Sequence, residues 1–182
     1  MKAVRVMLVG LVASVVAFAC ERSPTAARTA PLSARSVATS STKTSGLVVC
    51  SQAYDSVSQV IGPMGGIITV GPHIFLVDTL ALSAPVTITA VAPADTVRWV
   101  RFQPNGLVFQ TGKNGWPAII YTTYKDCAVA TTTTPRIAQV SDSLSILGYL
   151  QTYVQSKKNP WSQANAYAAG LLWHFSNYAV AW

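Results

Sequence analysis

Close to its last residue the chain carries His174-Phe175-Ser176, set in LLWHFSNYAVAW. These three residue types can act on their own backbone. A serine hydroxyl held against the preceding carbonyl can attack it, a histidine beside it can assist as general base, and water can hydrolyse the ester that forms. The bond at stake joins Phe175 to Ser176, and backbone strain at a bend must raise the ground state before it breaks. Asn177, a residue that tolerates positive φ, suits such a bend. A cut there detaches only Ser176 to Trp182, seven residues. The plainer reading is that a His and a Ser two apart in a strand share one face and hydrogen-bond to their neighbours.

Few other residues offer parts for catalysis. The histidines are His73 and His174, the single glutamate is Glu21, and neither a C-x-x-C pair nor a G-x-S-x-G elbow occurs. No metal site, hydrolase site or cofactor is therefore expected. A second chemistry comes from the tryptophans, Trp99, Trp116, Trp161, Trp173 and Trp182. An exposed aromatic row can stack on sugar rings, which describes a glycan or cell-wall binding module, although large aromatics more often fill cores. Trp116, in the polar loop GKNGWPA, is the one expected at the surface.

The segments that must deliver these residues begin with an address. Lys2 and Arg5 precede a charge-free, mainly apolar run of thirteen residues, Val6 to Phe18. That run is shorter than the roughly 20 residues of a membrane span and leads into small residues, as an export signal over residues 1–19 does. Ala17-Phe18-Ala19-Cys20 fits both a general signal-peptidase site and, less closely, a bacterial lipobox; both place the cut before Cys20. The cysteines favour the lipid. There are three, Cys20, Cys50 and Cys127, and lipidating Cys20 removes the odd one from an exported protein. Cys50 and Cys127 are then left to pair in an oxidising compartment. Acyl chains on Cys20 would hold the protein at a membrane, each buried CH₂ contributing about 0.8 kcal/mol.

Residues 20–46, mostly Ser, Thr, Ala and Arg with Leu32 and Val37 as the only larger apolar groups, cannot bury enough surface to fold. They read as a disordered tether with an r.m.s. reach of roughly 28 Å. The formal charge of +7 divides as +2 in the signal, +3 in the tether and +2 from Leu47 onward. A domain this close to neutral lacks the concentrated basic patch that nucleic acid requires.

Residues 47–182 form one domain by length. PVTITAVA alternates, RWVRF and AIIYTTY are rich in β-branched and aromatic residues, and GPMGG, VGPH and QPNG supply turns. Short strands with frequent turns predict an all-β, antiparallel β-sandwich or barrel. Trp161 to Trp182 carries no formal charge and contains ANAYAAGLLW, good helix-forming material. Its Gln, Asn, His and Ser side chains would be costly in a membrane. Two strands joined by a bend near HFSN is the expected arrangement.

At GGIITVGPHIFLVDTLALSAPVTITA the sequence resembles the ZU5 domain, the β-sandwich of ankyrins and netrin receptors, which also occurs in bacterial envelope proteins. Gly65-Gly66, Val77, Ala81-Leu82 and Pro85 to Ala90 match the family pattern, while Asp78, Thr79 and Leu80 stand where Pro-Pro-Gly is usual. FQPNGLVF, PAIIYTTYKDC and HFSNYAVAW look like later strands of bacterial relatives, so the likeness spans about Val60 to Trp182. It implies a non-enzymatic binding or scaffolding module that contacts an envelope protein or cell-surface component. Autoprocessing members cut within His-Phe-Ser between Phe and Ser, so the resemblance also gives His174, Phe175 and Ser176 an alternative role as a self-cleavage triplet.

Overall fold

The structure is a computed structural model, and it describes residues 46–129 and 132–182. The export signal, Cys20 and nearly all of the tether lie outside the described residues. Twelve strands follow one another: β1 Val49–Gln52, β2 Asp55–Ile61, β3 Gly66–Val70, β4 His73–Val77, β5 Val86–Ala92, β6 Asp95–Val97, β7 Trp99–Gln103, β8 Ala118–Thr123, β9 Arg136–Val140, β10 Ile146–Tyr149, β11 Tyr167–Leu172 and β12 Asn177–Ala181. Among the described residues the only helical element is a single 3-10 turn, Gln163–Asn165.

Among the described residues all strand pairs are antiparallel. One sheet has the order β10-β9-β12-β7-β5-β2, a second the order β11-β8-β4-β3, and β1 pairs with β6 alone. The expected all-β, antiparallel architecture is present. PVTITAVA forms β5, RWVRF lies mostly in β7, and AIIYTTY forms β8. The C-terminal stretch is two strands with a bend between them, because the alternation of tertiary neighbours outweighs the helix propensity of ANAYAAGLLW.

The core lies between the two larger sheets, where Phe75 on β4 packs on Phe102 of β7 with ring centroids 4.8 Å apart. Phe175 stacks on Phe102 at 4.9 Å and meets Phe109 edge-on at 5.1 Å. Each fully buried Phe contributes about 1.5–3 kcal/mol from area alone. Strand β12 is buried at every position, because its other face is covered by Leu47, Val97 and Trp99 beside the small β1–β6 sheet.

Gly65 shows why the Gly-Gly pair is needed at the β2–β3 turn. Its φ is +71°, and a Cβ there would stand 2.5 Å from the Val77 carbonyl oxygen. Only glycine combines that backbone conformation with that approach. A disulfide joins Cys50 on β1 to Cys127 after β8, with Cα atoms 4.7 Å apart. The cysteine pairing expected from the count is the one that forms.

Candidate functional site

The bend between β11 and β12 carries the triplet and splits its members. The Phe175 ring is buried at 1% exposure, His174 is exposed, and Ser176 is half-buried. Phe175 is pinned by its N–H, which donates to Leu107 O at 2.8 Å, and by its carbonyl, which accepts from Gly106 N–H at 3.2 Å. Gly106 ends the QPNG turn and Leu107 follows it, its N–H donating to Pro104 O at 3.3 Å. The same Phe175 carbonyl oxygen lies 3.3 Å from His174 Nδ1. A carbonyl only accepts, so Nδ1 carries the hydrogen in this contact.

Ser176 Oγ instead accepts from Gln139 Nε2 at 3.1 Å. No hydrogen bond joins His174 to Ser176 among the described residues. His174 therefore faces the carbonyl that a self-cleaving serine would attack, as a donor, and not the hydroxyl it was expected to deprotonate. Ser176 lines a polar groove of about 390 Å³ with Arg101, Asn105, Asp142 and Asn177. Asn177 Nδ2 donates to Asp142 Oδ1 at 2.8 Å, and among the described residues no hydrogen bond joins Asp142 to Ser176.

His73 is fully buried. Its Nε2 lies 2.9 Å from Gln52 Oε1 and its Nδ1 lies 2.9 Å from Thr122 Oγ1. Gln52 Nε2 donates to Pro93 O at 2.8 Å and to Trp99 O at 2.7 Å, which leaves its oxygen as the acceptor for His73. The imidazole is thereby held as the Nε2–H tautomer, with Thr122 donating to Nδ1. Burial, helped by the nearby Arg98 guanidinium, lowers its pKa to about 3. His73 is a neutral structural residue without access to a substrate.

Arg98 is also buried, and its guanidinium donates to Thr123 O and to Asp126 Oδ2, each at 2.6 Å. The guanidinium hydrogen bond holds the Asp126 carboxyl below the usual range. Cys50, Asp126 and Cys127 lie within 4.8 Å of one another. Their sulfurs are bonded together, so this group offers no thiolate to a metal.

Trp116 is half-buried, not exposed as its polar loop suggested, because its ring packs toward Tyr153 with centroids 6.3 Å apart. The exposed tryptophan is Trp173, at 47%. Trp99 is buried, and Trp161 packs on Tyr121 at 5.3 Å. The aromatic residues thus do not make a continuous row.

A feature that residue-by-residue reading missed is a cavity of about 360 Å³ beside β11, lined by Tyr153, Trp161, Tyr167, Ala168, Gln163 and Lys157 among others. The density of Tyr and Trp between Tyr149 and Tyr167 was the available signal. Met64, in the β2–β3 turn, is 84% exposed, and Leu80, in the segment between β4 and β5, is 57% exposed. Leu80 N–H donates to Pro63 O at 2.7 Å, and Thr79 Oγ1 to Met64 O at 3.4 Å, so the two apolar side chains rise from one tied corner. Compared with known proteins, the chain is matched by no family model and by no curated protein.

Proposed function

We propose that this chain is an exported, envelope-associated binding module of ZU5-like sandwich type that holds a partner protein and is not an enzyme. The observation that carries the reading is the exposed apolar corner of Met64 and Leu80, with Val60, 62% exposed, two residues before the turn. Large apolar side chains grouped on a surface mark contact sites more often than isolated ones do. Hydrogen bonds and the constrained Gly65 fix this corner, so little ordering cost opposes binding. The Cys50–Cys127 disulfide supports an oxidising compartment. The export signal, a lipid on Cys20 and a tether would place the domain a short reach from a membrane.

The test is capture from detergent-solubilised envelope fractions on the immobilised mature chain. A partner retained by the native surface and lost with Met64→Asp/Leu80→Asp is the expected outcome. Equal retention by both sinks the assignment of that corner. Intact mass of the membrane fraction reports the lipid directly, and a mature protein with Cys20 free removes the anchor.

A further inference from the structure

The cavity beside β11 lies across the four-stranded sheet from the Met64 corner, since β11 and β3 are its opposite edges. We propose that it is a binding site for a small amphipathic anion, a flat apolar body bearing one negatively charged group. The proposal is independent of the partner-protein reading.

The cavity is built by hydrogen bonds that tie three segments together. Residues Gln151 to Tyr153 are zipped to β11: Leu171 N–H donates to Gln151 O at 3.0 Å and Tyr153 N–H to Ala169 O at 3.2 Å. Asn159 organises the turn that carries Trp161, accepting from Trp161 N–H at 2.8 Å through its side chain and from Ser162 N–H at 3.1 Å through its backbone. Gln163 Nε2 donates to Thr134 Oγ1 at 3.2 Å, linking the 3-10 turn to the residues before β9.

The lining specifies the ligand. Tyr153, Trp161 and Tyr167 are each half-buried, so each keeps ring surface to offer, and the buried Ala168 and Ala169 leave room between them. A volume of about 360 Å³ is that of a small-molecule site. Among the described residues lining it, Lys157 is the only charged one. Lys157 is exposed, and the one salt bridge among the described residues is Arg98 to Asp126, so its charge is not spent on a carboxylate. A sugar would need several directed polar groups. Here Ser162 Oγ and Thr134 Oγ1 already accept from Asn165 and Gln163, at 3.4 and 3.2 Å. Flat apolar surface with a single cation suits an aromatic or hydrocarbon body with one carboxylate, sulfonate or phosphate.

The experiment is titration of the mature chain with the aromatic sulfonate 8-anilinonaphthalene-1-sulfonate, alongside the neutral N-phenyl-1-naphthylamine. One saturable site with a Kd of tens of micromolar is expected, within the ordinary range for a small ligand. Ala164→Trp, an exposed position on the 3-10 turn that lines the cavity, should weaken both probes by roughly tenfold by filling the space. Lys157→Glu should weaken the sulfonate by roughly fivefold and leave the neutral probe unchanged, because only the sulfonate meets the charge. A cooperative melt in each variant shows that the fold is retained. Sulfonate affinity that survives Ala164→Trp, or that ignores Lys157→Glu, overturns the proposal, and so does the absence of saturable binding. None of these outcomes touches the Met64 corner.

Discussion

Gln139 Nε2, on β9, donates to Ser176 Oγ at 3.1 Å, so the hydroxyl of the triplet is held from the neighbouring strand and not by His174. Among the described residues no basic group hydrogen-bonds to that hydroxyl, while the Phe175 carbonyl is polarised by Gly106 N–H and His174 Nδ1. An attack needs both halves, since a neutral serine is a weak nucleophile. The expected result is a single mass with no loss of Ser176 to Trp182, even after long incubation with hydroxylamine. The spectrum must be taken under denaturing conditions, because β12 sits between β7 and β9 and a severed strand would stay in place. Two fragments meeting at Phe175 and Ser176 would refute this.

The His73 network makes stability depend on pH. The folded pKa is lowered to about 3, below the unfolded value of 6.5, so the unfolded chain binds the proton first. The contribution is complete above 6.5 and falls as the pH drops, by about 1.4 kcal/mol per pH unit down to the folded pKa. Urea melts between pH 7 and 4 should show that slope, and His73→Phe should flatten it whatever its effect on absolute stability. An unchanged slope in the variant would assign the acid sensitivity elsewhere.

Replacing Cys50 and Cys127 together by Ala should lower unfolding free energy by about 4 kcal/mol, the chain-entropy value for a long loop. The bridge spans a separation of 77 residues. Reductant should shift the denaturation midpoint of the natural chain and not that of the variant. Two titratable thiols in the unreduced native protein would show that the bridge does not form.

Phe175 is better understood as core than as part of a reaction. Its ring meets Phe75, Phe102 and Phe109. Phe175→Ala should cost about 3–5 kcal/mol by chemical denaturation, through lost burial and the cavity left behind. A loss under about 1 kcal/mol would mean that the bend can collapse around the missing ring.

The parts of the fold legible in sequence were those with a local cause. The alternation in PVTITAVA forms β5, and the turn at GPMGG follows from the positive φ of Gly65. Arg98, the first residue of RWVRF, lies between β6 and β7 with its guanidinium turned inward to Thr123 and Asp126. Those partners are 25 and 28 residues away, beyond the reach of any local pattern. Trp116 was misjudged for a similar reason, since Gly, Lys and Asn around it say nothing of the distant Tyr153. The β11 cavity draws on the residues just before β9, on the stretch around Tyr153 and on the stretch from Trp161 into β11, and exists only once these three segments converge.

The domain closes on itself at one pole: Leu47 bridges Ala181, Val48 N–H donates to Val180 O at 3.0 Å, and Trp182 N–H donates to Gly46 O at 2.8 Å. In topological terms the backbone from residue 46 to residue 182 is nearly a ring, so the order in which its strands are written is separable from the shape they make. A circular permutant that joins residue 182 to residue 46 through a short linker and opens at the exposed Ser143 should fold to the same sheets. Its circular dichroism and melt would report whether the shape survives. Such a ring can also be spliced into a surface loop of another protein as a self-contained bead, entering and leaving at a single point.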